Sequence, residues 1–250
     1  MPPIVVDRSD GVAVARLSRG KVNALNEETV EALQRVLSEL ADDVSVPALV
    51  LTGSGKFFSF GFDIPELLAY SKPDFERFLV KFTGLYTSLF CFPKPVVAAI
   101  NGHCIAGGCM LTNACDYRLM AGGTWKIGLN ELAFGAAVFA GSVAILRNLV
   151  GQNVAEKVLI GARMYSPEEA LQIGLVDRLA GQEELLAEAQ TTARGYAEKD
   201  AAAYAQLKRL LRQPVVERYR ELEAESIRRF NDIWYAPEMR QRLAQIRIRT

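Results

Sequence analysis

The order of apolar and polar positions along the chain predicts short strands alternating with helices. Two β-branched runs, at residues 4–6 and 12–17, flank Asp10-Gly11 and predict a β-hairpin. A helix with one apolar face is predicted after Asn26, whose side chain can cap it, and a buried strand follows at 48–52. Strand, helix and strand in this order predict a βαβ unit with parallel pairing.

The same alternation recurs in the middle of the chain. A helical pattern covers 73–90, an apolar strand covers 96–100 and a glycine-rich turn covers 101–108. A short helix is predicted at 109–114 and a further strand at 116–120. Because open α/β sheets bind ligands at the carboxyl ends of their strands, the glycine-containing turns mark the expected binding edge.

The pattern changes at Gln182, beyond which Ala, Glu, Lys and Arg dominate and no strand is predicted. We therefore expect an α/β core over residues 1–181 and a C-terminal helical region over 182–250. Pro214 and Pro237 are expected to divide this region into two or three helices. Its apolar positions need a surface to pack against, which is either a partner subunit or the chain's own core.

Composition narrows the class of protein. The chain has 250 residues, and 29 basic residues balance 29 acidic ones, so no net charge recruits nucleic acid or anionic lipid. We expect no nucleic-acid partner and no membrane partner. The N-terminus lacks a basic segment followed by an apolar run, so the expected location is cytoplasmic. Four cysteines without C-x-x-C spacing and a single histidine predict no metal site and no disulfides.

One apolar stretch, residues 127–146, carries a single charged side chain before Arg147, that of Glu131. Asn130, Glu131 and three glycines make a poor membrane-spanning helix, so we expect a buried core segment. A carboxylate removed from water resists ionisation, and its pKa rises toward neutral. Such a group is suited to taking up a proton and returning it. A structural ion pair or helix cap explains the residue equally well at this level.

Two glycine turns are candidates for binding an anion. Gly107-Gly108 follows a buried strand and opens an apolar helix, whose first N–H groups are free. A tight buried turn explains these glycines as well. Gly61 lies in a similar apolar loop after an earlier strand. If the two loops lie side by side, two N–H groups could point at one oxygen atom and form an oxyanion hole.

Several ordered motifs resemble those of the crotonase superfamily, also called the enoyl-CoA hydratase/isomerase family. They are FFSFGFDI at 57–64, KPVVAAINGHCIAGGC at 94–109, CDYR at 115–118 and SPEEALQIGLVD at 166–177. The resemblance covers nearly the whole chain, in order. It implies an α/β fold built as a crotonase-like spiral of ββα units, with C-terminal helices that support trimerisation.

The resemblance also implies a substrate, an acyl-CoA thioester, and a site. The thioester oxygen is expected to accept hydrogen bonds from the backbone N–H groups of Phe62 and Gly107. Coenzyme A is expected beside two loop segments, represented here by Lys21, Val22, Ala24, Asp63 and Ile64. Because coenzyme A is part of the substrate, no separate cofactor is expected. The expected assembly is a homotrimer or a dimer of trimers.

The residues at the two acidic positions of the family's hydratases favour a different reaction. Those hydratases use two glutamates, and here the first position is Met110 and the second is Glu131. Met110 can neither activate water nor deliver a proton. Phe139 adds bulk where a small residue leaves room for water. We therefore expect Met110 and Phe139 to contact substrate, and hydration to be weak or absent.

One carboxylate is enough to move a double bond. Residues 127–131 are similar to the segment that carries the single catalytic glutamate of Δ3,Δ2-enoyl-CoA isomerases. The leading hypothesis is therefore an isomerase of fatty-acid metabolism that converts 3-enoyl-CoA to trans-2-enoyl-CoA, with Glu131 as the catalytic residue. The alternatives are another crotonase reaction, such as a hydratase/lyase or thioester hydrolase, and a non-catalytic acyl-CoA-binding protein.

Three other reactive side chains near the motifs are expected to be structural. His103 lies several residues before the expected oxyanion hole, and Asp116 is expected to serve the fold near Arg118. Cys109 has no adjacent group that would lower its thiol pKa.

Overall fold

The computed structural model describes residues 2–9 and 11–246, which form two sheets surrounded by helices. The larger sheet has six strands in the order β1-β2-β3-β5-β7-β9, and the smaller has three in the order β4-β6-β8. The strands are β1 (Ile4–Ser9), β2 (Val12–Leu17), β3 (Ala48–Gly53), β4 (Phe57–Ser59), β5 (Val96–Ile100), β6 (His103–Ile105), β7 (Tyr117–Ala121), β8 (Ile127–Gly128) and β9 (Arg178–Ala180).

The helices follow the strands and cover most of the remaining chain. They are α1 (Glu27–Asp42), α2 (Ile64–Leu67), α3 (Lys72–Phe90), α4 (Gly107–Asn113), α5 (Ala140–Val150), α6 (Gln152–Gly161), α7 (Pro167–Gln172), α8 (Leu185–Ala197), α9 (Ala201–Tyr235) and α10 (Pro237–Leu243), with a 3₁₀ turn at Glu131–Phe134. As expected, Asn26 caps α1, its side chain accepting a hydrogen bond from the N–H of Thr29 at 3.0 Å.

The N-terminal hairpin and the parallel pairing expected after it are both confirmed. β1 pairs with β2 antiparallel, and Gly11 has a φ of 74° in the connecting turn. Asp10, expected in the same turn, lies outside the described residues. β2, β3, β5 and β7 then pair in parallel.

Three consecutive strand pairs each give one strand to the larger sheet and one to the smaller. The pairs are β3 with β4, β5 with β6 and β7 with β8, and helical structure follows each pair. This repeat confirms the expected spiral of ββα units. It also places the turns after β4 and β6 next to one another, since β4 and β6 are parallel neighbours.

The C-terminal helices pack on both sides of this core. α8 covers one face of the larger sheet, where Leu185, Ala189 and Ala193 are buried against strand residues. α9 packs against α3 and α5 on the other side, and buries Phe230 and Trp234. Some apolar positions of the helical region therefore pack on the chain's own core, whereas several leucines of α9 stay exposed, so both alternatives remain open.

The expected helix break at Pro214 is wrong, whereas the break at Pro237 is confirmed. α9 runs unbroken through Pro214, although an interior proline costs a helix about 3 kcal/mol. The helix is held on both sides of the proline: Arg212 donates to the carbonyl oxygens of Phe90 and Ala114, and Val216 is buried. These tertiary contacts outweigh the local preference.

Asp116 is a fold residue, as expected, and its ion-pair partners are on α9. Its carboxylate lies 2.6 Å from Lys208 Nζ and 2.7 Å from a terminal nitrogen of Arg212, and accepts from the N–H of Val96. Arg118 instead pairs with Asp177 at 2.6 Å. Asp116 therefore fastens α9 to the sheet. Within the described part of the chain, no helix is long and apolar enough to cross a membrane.

Candidate active site

A cavity of about 170 Å³ is enclosed by the turns after β4 and β6, the segment around the 3₁₀ turn, and α9. Its walls are mainly aromatic and aliphatic. The lining residues are Phe60, Phe62, Ile64, Ile105, Ala106, Gly107, Met110, Asn130, Glu131, Phe134, Phe139, Phe230, Trp234 and Ile246.

Glu131 contributes a carboxylate to this apolar cavity. The residue is 5 % exposed, and neither carboxylate oxygen has a side-chain or backbone partner from another described residue. Burial raises the pKa of Glu131 to about 8. Among the described residues it is the only titratable side chain on the cavity wall. An unpaired buried acid is costly for the fold and is typical of a functional group.

The two glycine turns touch one another beside the cavity. Gly61 has a φ of 96°, and a Cβ atom added to it would lie 3.2 Å from the backbone nitrogen of Gly107 and 3.0 Å from the carbonyl oxygen of Ile105. A side chain at Gly61 would therefore separate the turns. The expectation that the two loops lie side by side is met.

The amide groups of Phe62 and Gly107 are both candidates for binding an oxygen atom. The N–H groups on either side of Phe62 are engaged, that of Gly61 by Ser59 Oγ at 3.1 Å and that of Asp63 by the carbonyl of Leu25 at 2.9 Å. Because alternate residues of an extended segment point in opposite directions, the N–H of Phe62 points away from Leu25. Gly107 begins α4, where an N–H group has no acceptor within the helix.

The turn that presents Gly107 is tightly constrained. Ala106 adopts φ 51° and ψ −118°, a conformation that costs a non-glycine residue about 1–3 kcal/mol. A Cβ atom at Gly108 would lie 2.8 Å from both Cβ and the carbonyl oxygen of Ser59, so only glycine fits there. Strain of this kind persists only when the surroundings enforce it, and here the N–H of Ala106 donates to the carbonyl of Gly128 at 2.9 Å while its own carbonyl accepts from the N–H of Met110 at 3.0 Å.

The residues expected to contact substrate fall into two groups. Ile64, Met110 and Phe139 line the cavity beside Glu131. The remaining four, in two adjacent loop segments, are absent from its wall: Lys21, Val22, Ala24 and Asp63.

Those two loop segments are joined by backbone hydrogen bonds. The N–H of Phe60 donates to the carbonyl of Val22 at 2.9 Å, and that of Leu25 donates to Gly61 at 2.7 Å. Lys21 is exposed and Ala24 is buried. The Asp63 carboxylate pairs with Arg19 and accepts from the N–H of Glu66 at the start of α2. The segments thus share one edge of the fold, and their contact with coenzyme A stays a prediction.

Two cavity residues from α9, Phe230 and Trp234, were not expected at the site. The Phe230 ring centroid lies 4.7 Å from that of Phe139 and 6.4 Å from that of Phe62. Phe230 and Trp234 are four residues apart and share the apolar face of the helix. The sequence contains that signal, but the residues that these rings contact are distant in the sequence and are brought together by the fold.

The structure agrees with the structural roles expected for His103 and Cys109. His103 lies outside the cavity wall, and its Nδ1 accepts a hydrogen bond from the N–H of Lys126 at 3.1 Å. Cys109 is buried, and its contacts with Cys104 together with burial raise the pKa of its thiol well above the usual value. A thiol held in that form is a poor nucleophile.

Comparison with known proteins decides the family. A sequence profile described as "Enoyl-CoA hydratase/isomerase" matches residues 7–240. The chain belongs to the enoyl-CoA hydratase/isomerase family. The motif resemblance noted in the sequence is thereby confirmed.

Similar members of the enoyl-CoA hydratase/isomerase family carry two kinds of name. A short-chain-enoyl-CoA hydratase of Clostridium acetobutylicum is 32 % identical over 185 residues, covering 73 % of this chain and 70 % of the relative. Human enoyl-CoA delta isomerase 1, mitochondrial, is 33 % identical over 181 residues, covering 72 % of this chain and 60 % of the relative. The names of these relatives therefore do not show whether this chain catalyses hydration or isomerisation.

A solved structure from the enoyl-CoA hydratase/isomerase family matches the whole fold. The crystal structure of human mitochondrial delta3-delta2-enoyl-CoA isomerase superposes with a TM-score of 0.92 at 27 % identity, covering 97 % of this chain and 95 % of that one. The crotonase fold is thus shown over nearly the full length. Over the described residues, no group of three or more His, Cys, Asp or Glu side chains could hold a metal ion.

Proposed function

We propose that this protein is an enoyl-CoA isomerase, which converts 3-enoyl-CoA to trans-2-enoyl-CoA. One observation carries the proposal: the apolar cavity wall holds a single titratable side chain among the described residues, Glu131, and its carboxylate is unpaired. Moving a double bond requires one group that takes a proton from one carbon and returns it to another. A carboxyl group whose pKa is near 8 can do both close to neutral pH.

The proposed reaction has two proton transfers through Glu131. The carboxylate removes a proton from C2 of the 3-enoyl thioester, and the electron pair of that C–H bond delocalises over the C3–C4 double bond and the thioester oxygen. The same carboxyl group then returns the proton to C4, which leaves the double bond between C2 and C3. No water is consumed, and the carboxylate is regenerated.

The negative charge of the dienolate needs a stabilising partner. We propose the backbone N–H groups of Phe62 and Gly107, whose turns are in contact. Removing one such donor from an oxyanion hole costs about 3–4 kcal/mol in known enzymes. The chemistry requires a base and two donors only, so we propose that no cofactor beyond the CoA of the substrate takes part.

The composition of the cavity argues against efficient hydration. Adding water to a double bond needs one group to activate water and another to deliver the α-proton. Met110 occupies the position of a second acid, and the buried Phe139 fills space on the wall. Neither side chain can hold or activate water.

One feature favours a second candidate, a hydratase or thioester hydrolase with a single acid. Asn130 lines the cavity next to Glu131, and its Oδ1 has no hydrogen-bond partner among the described residues. A water molecule held by Asn130 could be activated by Glu131. The hydratase names of several relatives agree with this alternative.

Parallel assays in deuterated water distinguish the two candidates. The protein is incubated with a 3-enoyl-CoA and, separately, with the matching trans-2-enoyl-CoA, and the products are followed by NMR. The isomerase proposal predicts double-bond migration without formation of 3-hydroxyacyl-CoA, and deuterium at C2 and C4 to the extent that the carboxyl proton of Glu131 exchanges with solvent between the two transfers. Formation of 3-hydroxyacyl-CoA or free CoA at a higher kcat/KM than migration would overturn it.

The assembly is inferred from the family, and both the assembly and the location stay proposals. We propose a homotrimer or a dimer of trimers, supported by apolar side chains that remain exposed on α9. These are Leu207, Leu210, Leu211 and Leu222. Light scattering coupled to size-exclusion chromatography tests this assembly, and a monomeric mass would contradict it. A cytoplasmic location is proposed on the sequence alone.

A further inference from the structure

One side of the cavity is a buried aromatic wall, which we name the end wall: Phe139, Phe230 and Trp234. Their exposed fractions are 0 %, 4 % and 2 %. The side chains of Phe60 and Phe134, elsewhere on the cavity, are half-buried. Solvent therefore does not reach the cavity through the end wall.

The end wall packs against aromatic side chains that do not line the cavity. Behind Phe139 lies Phe82, at 6.2 Å between ring centroids, and behind Trp234 lies Phe75, at 4.5 Å. Phe139 and Phe230 contact each other at 4.7 Å. Close-packed interiors of this kind have low compressibility, so the wall does not yield to a longer ligand at low cost.

Hydrogen bonds also fix the two elements that carry the end wall. α5 begins directly after Phe139, and its first N–H groups are capped by α9. The N–H of Gly141 donates to Glu223 Oε2 at 2.8 Å, and that of Ala140 donates to Ser226 Oγ at 3.1 Å. Phe139 and Phe230 are therefore held at a set distance by bonds as well as by ring contacts.

The volume available in front of the end wall limits the acyl group. The cavity measures about 170 Å³. An apolar protein cavity of about 150 Å³ holds one benzene molecule, which has six carbon atoms. We propose that the cavity accepts acyl chains of up to about six carbons, and that Phe139 and Phe230 set this limit. The inference rests on the proposed function, in which the acyl chain occupies this cavity.

The residues that line the cavity also restrict which polar groups the acyl chain of the substrate can carry. Asn130 and Glu131 are the polar side chains of the wall within the described residues, and the remainder is apolar. A hydroxyl or second carboxylate on the acyl chain would lose its water without gaining a partner at the end wall. The preferred substrate class is therefore a short, unsubstituted hydrocarbon chain.

Binding of saturated acyl-CoA thioesters tests the length limit without requiring the reaction. Isothermal titration calorimetry is run on the full chain with butanoyl-, hexanoyl-, octanoyl-, decanoyl- and dodecanoyl-CoA. The wild type is expected to bind hexanoyl-CoA best and to lose at least about tenfold in affinity, or 1.4 kcal/mol, at octanoyl-CoA. In Phe230→Leu, the loss is expected to move to decanoyl-CoA, because the smaller side chain opens the end wall.

A matched variant and a second wall variant complete the experiment. Phe90→Leu removes the same bulk from a buried α3 residue outside the cavity wall, and is expected to keep the wild-type preference. If circular dichroism shows that Phe230→Leu is unfolded, Phe139→Leu takes its place with the same expected shift.

The outcomes separate this inference from the proposed function. A wild-type affinity that keeps rising to dodecanoyl-CoA, or a folded wall variant with an unchanged preference, overturns the length limit and leaves isomerisation standing. A clear length limit in a protein that hydrates but does not isomerise overturns the proposed function alone. Failure of every thioester to bind overturns both.

Discussion

The side chain of Glu223 on α9 accepts a hydrogen bond from the backbone N–H of Gly141 at 2.8 Å, so α9 caps the start of α5. The other Glu223 oxygen accepts from the hydroxyl of Tyr86, which is fully buried on α3. One carboxylate thus joins three helices next to the cavity residue Phe139. α5 has no side-chain cap from its own N-terminal segment.

Glu223→Ala is expected to lower the free energy of unfolding by about 2–4 kcal/mol. The variant removes a helix cap, worth about 1 kcal/mol, and leaves the buried Tyr86 hydroxyl without its acceptor, which costs about 1–3 kcal/mol. Urea denaturation measures the change. Glu221→Ala, on the exposed side of the same helix, is expected to stay within about 0.5 kcal/mol of wild type. Equal effects of the two substitutions would contradict the capping role.

Gly108→Ala is expected to destabilise the chain by a few kcal/mol, since its Cβ atom would meet the Ser59 backbone at 2.8 Å. Gly84→Ala is the matched control, because Gly84 lies within α3 and has open space around it. That variant is expected to gain about 0.5–1 kcal/mol from helix propensity. Thermal or urea unfolding gives both values, and a neutral Gly108→Ala would show that the two turns are not tightly packed.

Stability is expected to depend on pH through Glu131. A carboxyl group whose pKa is about 8 in the folded chain and 4.5 when solvated keeps its proton longer in the folded state. As pH rises from 4.5 to 8 the unfolded chain releases this proton first, so the folded wild type loses stability, by at most about 5 kcal/mol. Glu131→Gln does not titrate, so its stability relative to wild type is expected to increase over this range. A difference that is constant from pH 5 to pH 8 would contradict an uncompensated buried acid.

The rate of isomerisation is expected to depend on pH through the ionisation of Glu131. The base form of Glu131 is required to begin the reaction, so kcat/KM should rise about tenfold per pH unit and level off near pH 8. A glutamate with an ordinary pKa would give a plateau from about pH 5 upward. Steady-state kinetics with a 3-enoyl-CoA between pH 5.5 and 9 distinguishes the two profiles.

Local sequence signals were sufficient to predict features that depend only on neighbouring residues in the sequence. The apolar stretch around Glu131 predicted its burial, and the Gly107-Gly108 pair predicted a tight turn at a helix start. Both predictions depend only on the residue types that are adjacent in the sequence. The strands β4, β6 and β8 were not predicted, because two or three residues are too few to show a period of two.

Features that depend on distant parts of the chain could not be predicted in the same way. Pro214 indicated a helix break, yet contacts of Arg212 and Val216 hold the helix together. Asp116 was expected to be a fold residue near Arg118, but the sequence did not indicate its ion-pair partners, which are on α9, some ninety positions later. The same helix supplies Phe230 to the cavity. Sequence showed that these side chains needed partners, and only the fold determined which ones.

The proposed mechanism requires the buried Glu131 to carry the proton between C2 and C4. This role is tested by the kcat of Glu131→Gln with a 3-enoyl-CoA, measured beside the affinity of that variant for a saturated acyl-CoA. We predict wild-type affinity within about threefold, and a kcat lower by about 10²–10⁴-fold. A folded Glu131→Gln protein that isomerises its substrate at the wild-type rate would contradict the account.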